Sequence, residues 1–294
     1  MTPMGSVRDM AHRWVDVHGL RLHCVEAGTG PLVVLLHGFP EFWYAWRHQI
    51  PALAAAGYRV VAPDMRGYNT SAKPPGVGNY TIDKLVGDVR GLVRHLGEER
   101  ATVVGHDWGG AVAWSVPMRH PELVERLVVL NAPHPAAFAR ELRTPGQLLR
   151  SWYIFFFQVP WLPEASFRAA NFALLERTLR TDPVRPGAFS DEDVRRYKRA
   201  LAQPGALTAT INYYRAAVRT DPREALREPS PITCPTLLIW GDRDRYLGPA
   251  LTEGLERWVP AIRVEHIPDA SHWVQADPPE RVNDLLVSYL RDER

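Results

Sequence analysis

Between the apolar run Ala101-Thr102-Val103-Val104 and the helix-like Ala111-Val112-Ala113-Trp114 stands the segment Gly105-His106-Asp107-Trp108-Gly109-Gly110. A small-x-polar-x-small pattern at a strand-to-helix junction describes a sharp elbow. Its central side chain is thrust out at the sheet edge, and the flanking glycines let strand and helix approach closely. Here the central residue is Asp107. A carboxylate, with a reference pKa of about 4, is ionised near neutral pH. It can therefore attack an alkyl carbon and form an ester without a base to activate it. The same residue could instead cap the following helix by accepting its free N–H groups. The elbow alone leaves both readings open.

The rest of the chain supplies the frame. Short β-rich runs recur at Leu32–Leu36, Arg59–Ala62, Ala101–Val104, Leu127–Leu130, Pro235–Trp240 and Arg263–Ile267, the inner ones almost continuously apolar. Strands covered on both faces read this way. After Thr81, residues Leu85, Val86, Val89, Leu92, Val93 and Leu96 fall at helical spacings and Gly97 closes the run, which predicts an amphipathic helix. Trp14–Val17 and Leu20–Val25 flank His18-Gly19 and read as an antiparallel hairpin leading into a mostly parallel sheet. The alternation predicts a doubly wound α/β core with helices on both faces. Between Asn131 and Pro231 the rhythm changes to helix-like segments rich in proline and aromatics, without a convincing strand. Residues 1–132 and 231–294 are therefore expected to form one core, with 133–230 inserted as a helical cap.

Charge and cysteine content remove other classes. The 294 residues carry a formal charge of +2 with no block of Lys or Arg, so neither nucleic acid nor an anionic membrane is expected as a partner. Cys24 and Cys234 are the only cysteines, and no His cluster stands at metal spacing, so no disulfide framework, metal site or cofactor is expected. The stretch Met1 to His12 lacks a signal-peptide core, and the most apolar segment, Trp152 to Leu162, is too short to span a bilayer. A cytoplasmic protein, monomer or homodimer, is the expectation.

In open α/β sheets ligands gather at the carboxyl ends of the strands. The polar residues placed there are His37-Gly38-Phe39-Pro40, Asp64, Asp107, Asp242 and Asp244 after Trp240-Gly241, and His272 in the loop Asp269 to Trp273. The chain order nucleophile, acid, histidine is that of an α/β-hydrolase triad. The runs His37-Gly38-Phe39-Pro40-Glu41-Phe42-Trp43-Tyr44 and Asp64-Met65-Arg66-Gly67-Tyr68-Asn69-Thr70-Ser71, together with the elbow, resemble those of soluble epoxide hydrolases of the α/β-hydrolase superfamily. The likeness continues through Gly241-Asp242-Arg243-Asp244, Ser271-His272-Trp273, Tyr153 in a Tyr-x-x-x-Phe-Gln pattern and Tyr214 in Asn212-Tyr213-Tyr214-Arg215.

The resemblance implies that Asp107 attacks an epoxide carbon while Tyr153 and Tyr214 hydrogen-bond the ring oxygen, and that His272 then activates water to hydrolyse the ester. A phenol with a pKa of about 10 can protonate an alkoxide while staying neutral until needed. Asp244 is expected to orient His272, with Asp242 as its rival. Asn131 follows the preceding strand, where some relatives keep the acid, and carries no charge. The backbone N–H groups of Phe39 and Trp108 are expected to form the oxyanion hole, and these two residues with the two tyrosines to contact substrate. Tyr213 is the rival of Tyr214, a cis bond is implied before Pro40, and Asp64 and Arg66 are expected to order their own loop. The aromatic run Trp152 to Phe157 would roof the site with apolar surface. Two other readings share these features. A haloalkane dehalogenase would use the same Asp/His/Asp set, with the Trp108 indole on halide, although Phe39 stands where many dehalogenases carry asparagine. A non-catalytic binder of the same fold would need a broken triad.

Overall fold

The computed structural model of the protein describes residues 10–219 and 229–292. The chain opens with β1 (Ala11–Val17) and β2 (Leu20–Ala27), which pair antiparallel. His18 and Gly19 both take positive φ, as a two-residue hairpin turn requires. The other strands are β3 (Leu32–Leu36), β4 (Arg59–Pro63), β5 (Ala101–His106), β6 (Val124–Leu130), β7 (Thr236–Gly241) and β8 (Ile262–Ile267). They form one eight-stranded sheet in the order β1-β2-β4-β3-β5-β6-β7-β8, antiparallel from β1 to β4 and parallel from β4 to β8.

Each central strand divides its side chains between two apolar layers, since successive residues point to opposite faces. Val33 and Leu35 enter the first layer, and Leu32, Val34 and Leu36 the second. Helix α1 (Gln49–Ala55) covers the first face through Ile50 and Leu53. Helices α2 (Ile82–His95) and α3 (Trp108–Arg119) cover the second through Leu85, Val89, Val112 and Val116. The doubly wound α/β architecture read from the sequence is the one present.

Between β6 and β7 the chain runs through α4 (Pro135–Glu141), α5 (Pro145–Arg150), α6 (Trp152–Phe156), α7 (Leu162–Thr181, broken at 169–172), α8 (Asp191–Leu201) and α9 (Ala206–Val218). No strand occurs among the described residues of this stretch, and residues 220–228 of the expected cap lie outside them, as do residues 1–9. Phe157, Phe167, Leu175, Tyr197 and Tyr214 from these helices join the first apolar layer, so the insertion shares its packing with the sheet. The final helix, α10 (Pro279–Arg291), packs its Leu285, Leu286 and Leu290 there too. No helix among the described residues is long and apolar enough to cross a membrane.

Candidate active site

The elbow is built by close backbone approach. A Cβ on Gly109 would lie 2.1 Å from the Leu36 carbonyl oxygen, and one on Gly105 would lie 2.3 Å from the Gly109 oxygen. Only hydrogen fits at either place. Asp107 sits at φ +49°, ψ −118° and makes no side-chain cap bond to α3. Its carboxylate is thus free of the helix, which answers the capping alternative. A non-glycine residue at positive φ costs about 1–3 kcal/mol and persists only where its surroundings hold it. Here the strain turns the side chain toward the turn after β3, where the Phe39 N–H donates to Asp107 Oδ1 at 2.7 Å. Gly38 makes room for that approach, since a Cβ there would lie 2.5 Å from the Asp107 Cβ. The Phe39–Pro40 peptide is cis. Trp108, the other expected oxyanion donor, is the first residue of α3.

His272 faces Asp107. Its Nε2 lies 3.6 Å from Asp107 Oδ2 and its Nδ1 2.7 Å from Asp244 Oδ2. Asp244 is buried. It accepts N–H bonds from Tyr246 (2.7 Å) and Leu247 (3.0 Å) at Oδ1, and from Asn131 Nδ2 (2.8 Å) at Oδ2. Burial alone would raise its pKa, but the His272 charge and hydrogen bond, helped by Asn131 and Tyr246, hold it below the ordinary value. Burial alone would lower the His272 pKa. The charge and hydrogen bond of Asp244, with Asp107 and Glu41 behind them, raise it to about 9. Asp242 is turned away, paired at 2.5 Å with the half-exposed His266. Asn131 bridges two strand ends, because its Oδ1 also accepts from Gly241 N at 2.8 Å.

The two tyrosines come from α6 and α9, and their rings meet edge to face with centroids 5.8 Å apart. Tyr214 also stands edge-on to Trp108 at 5.0 Å and to Phe39 at 5.4 Å. Burial, and then the charge of Asp107, lift the pKa of both phenols well above the ordinary value. Tyr213 belongs to the opposite apolar layer, and its hydroxyl donates to the Arg66 carbonyl at 2.7 Å. Asp64 and Arg66 stay in their own neighbourhood. Asp64 accepts from Trp43 N, Asn69 and His23, and Arg66 makes a two-toothed pair with Asp88.

One buried group escaped the sequence reading. Behind the elbow, Glu41 accepts from Gly38 N, Tyr197 and Gln275 and lies 2.8 Å from His106 Nδ1. The other ring nitrogen of His106 is 2.8 Å from the His272 carbonyl oxygen. Burial would raise the Glu41 pKa, yet His106 beside it holds it low. The signal was present in His106 at the elbow and Glu41 after Pro40. Only the fold brings them together. Among the described residues no group of three or more His, Cys, Asp or Glu is placed to hold a metal ion. Chemically, the arrangement offers a carboxylate with a free oxygen, a histidine between two carboxylates, an N–H donor and two neutral phenols.

The family model for the alpha/beta hydrolase fold matches residues 31–279. The AB hydrolase superfamily protein YfhM of Bacillus subtilis is 45% identical over 284 residues, 96% of this chain and 98% of that protein. Epoxide hydrolase 4 of Homo sapiens is 40% identical over 283 residues, which cover 94% of this chain and 77% of that protein. Among solved structures, the Bacillus megaterium epoxide hydrolase in complex with an inhibitor superposes with a TM-score of 0.87 at 33% identity, covering 95% of this chain and 100% of that one.

Proposed function

The chain belongs to the α/β-hydrolase family, among its epoxide hydrolases, and from that premise we propose that it adds water across epoxides by way of an ester on Asp107. The observation that carries this reading is the juxtaposition at Asp107. One carboxylate oxygen is held by the Phe39 N–H, the other faces His272 at 3.6 Å, and the Tyr214 ring, with Tyr153 against it, stands edge-on to Phe39 and to Trp108, the residue after Asp107.

In this reading the helices of 133–230 cap the core formed by 1–132 and 231–294. Asp107 attacks one epoxide carbon, the C–O ring bond breaks, and the electron pair goes to the ring oxygen, which takes a proton from Tyr153 or Tyr214. Asp107 is now a neutral ester. The negative charge that raised both phenol pKa values and helped hold the proton on His272 has gone. The phenolate regains its proton at the expense of the His272 imidazolium, which leaves the histidine neutral and ready to act as a base. His272 then takes a proton from water as the hydroxide adds to the ester carbonyl. The Phe39 and Trp108 N–H groups hold the resulting oxyanion. Collapse breaks the acyl–oxygen bond, the departing alkoxide takes the proton from His272, and the regenerated Asp107 carboxyl returns one to it. Asp244, fixed by Asn131 and two backbone donors, keeps His272 oriented and stabilises its charged form.

Incubation with a styrene-type or terminal epoxide should yield the vicinal diol, while bromoalkanes should release no halide. Halide release without diol formation would replace this reading with the dehalogenase one.

A further inference from the structure

Three polar residues in the tyrosine motifs make and break no bond in the ring-opening step: Gln158 closes the pattern begun by Tyr153, and Asn212 and Arg215 flank Tyr214. They converge on one buried cluster. Arg215 Nε donates to the Phe157 carbonyl at 3.0 Å, and Nη2 donates to the Val159 carbonyl at 3.1 Å. The two Nη atoms also take both oxygens of Glu164, at 2.7 and 3.1 Å, and Nη1 reaches Asn212 Oδ1 at 3.4 Å. These five bonds match the five N–H donors of a guanidinium. Arg215 and Glu164 are both buried, and Glu164 lies in the first turn of α7. Gln158 Nε2 adds a tie in the other direction, donating to the Tyr214 carbonyl at 3.2 Å and to the Ile154 carbonyl at 2.9 Å.

The mechanical consequence follows from the length of α6. Five residues, Trp152–Phe156, cannot hold a helix by themselves. Phe157 N bonds back to the Tyr153 carbonyl, so the end of α6 gripped by Arg215 is one turn from Tyr153. Arg215 itself is the residue after Tyr214. We propose that Arg215, clamped by Glu164, is the positioning residue that sets the spacing of the two phenols, and that it therefore governs ester formation and leaves ester hydrolysis alone. The inference rests on the role given to Tyr153 and Tyr214 above. A lysine offers three donors on a single nitrogen in place of the planar five-donor fork, so it cannot make all five of these bonds.

The test separates the two chemical steps by rapid quench, following growth and decay of the enzyme–epoxide adduct by intact mass. Arg215→Lys should slow adduct formation about tenfold to a hundredfold, the scale of a 1 Å misplacement, with adduct decay unchanged. Gln158→Met, which removes the ties to the Tyr214 and Ile154 carbonyls and leaves Arg215 in place, should slow the same step less, and it carries the test if the arginine variant does not fold. Equal slowing of both steps, as from general loosening, or no slowing of either, overturns the proposal. Tyr153→Phe and Tyr214→Phe run alongside. If these leave adduct formation unchanged, the role of the phenols fails. If they slow it and Arg215→Lys does not, only the present inference fails.

Discussion

His272 and His134 are displaced in opposite directions by their surroundings, and each adds a limb of its own to the way stability responds to pH. His272, raised from 6.5 to about 9, binds its proton more tightly folded than unfolded. Its contribution is fully present below pH 6.5 and lost as pH rises through about 9. His134 is buried between the Trp114 and Trp258 rings and accepts from Ala136 N with no partner on Nε2. Burial lowers its pKa to about 4, so its contribution is present above pH 6.5 and lost as pH falls toward about 4. Thermal unfolding should therefore show a decline on both sides of about pH 6.5, with His272 contributing up to about 3 kcal/mol to the alkaline limb and His134 a similar amount to the acid one. Burial lowers the pKa of His48 to about 4 as well, so His134→Asn, which keeps a cap acceptor, should make the acid limb shallower without removing it, and His272→Gln should make the alkaline one shallower. An acid limb of unchanged depth in the first variant, or an alkaline limb of unchanged depth in the second, would refute these assignments. Single residues also mark where the sequence was silent. The motif identified Asp244 and left Asn131 as an uncharged position, whereas the fold makes Asn131 a donor to Asp244. No local pattern announces a bond between residues 113 positions apart.

At the scale of elements, the elbow is the most constrained feature. The Cβ of an alanine at Gly109 would press on the backbone of Leu36 and His37, which belongs to a central strand and the turn after it and has no room to withdraw. Gly109→Ala should cost at least about 3 kcal/mol and lower Tm by about 5–10 °C. Gly78→Ala, with nothing within 4 Å of the added carbon, should leave Tm unchanged in the same calorimetric scan. Equal Tm values for the two variants would contradict the close-approach account. The strands and α2 were legible because burial on both faces, or on one, writes a clear period into the sequence. The sequence reading placed β3 at Leu32–Leu36, where it stands, and the hairpin within a few residues of β1 and β2. The inserted helices were less legible. Those from α4 to α6 are five to seven residues long, too short to show a period, and α7 is broken by left-handed residues at Ala170, Asn171 and Phe172.

For the whole molecule, the order of Asp107, Asp244 and His272 along the chain was readable, but their meeting point depends on sheet order. Asp107 follows β5 and Asp244 follows β7, with β6 and its Asn131 between them. That order sets Asn131 beside the end of β7, where its side chain bonds Gly241 and Asp244. The network of Glu41, His106 and Gln275 likewise joins the turn after β3, the elbow and the loop beyond His272, a union that sequence patterns do not encode. Tyr153 and Tyr214, from separate helices of the insertion, meet edge to face, and Tyr214 packs against Phe39 and Trp108. The account stands on the claim that Asp107, and not water, attacks the substrate. The direct measurement is a single turnover in water enriched in heavy oxygen, with enzyme in excess over epoxide. The diol from that first turnover should carry only ordinary oxygen, and the heavy atom should appear in the Asp107 carboxylate. Heavy oxygen in the first-turnover diol, with none on Asp107, would contradict the account.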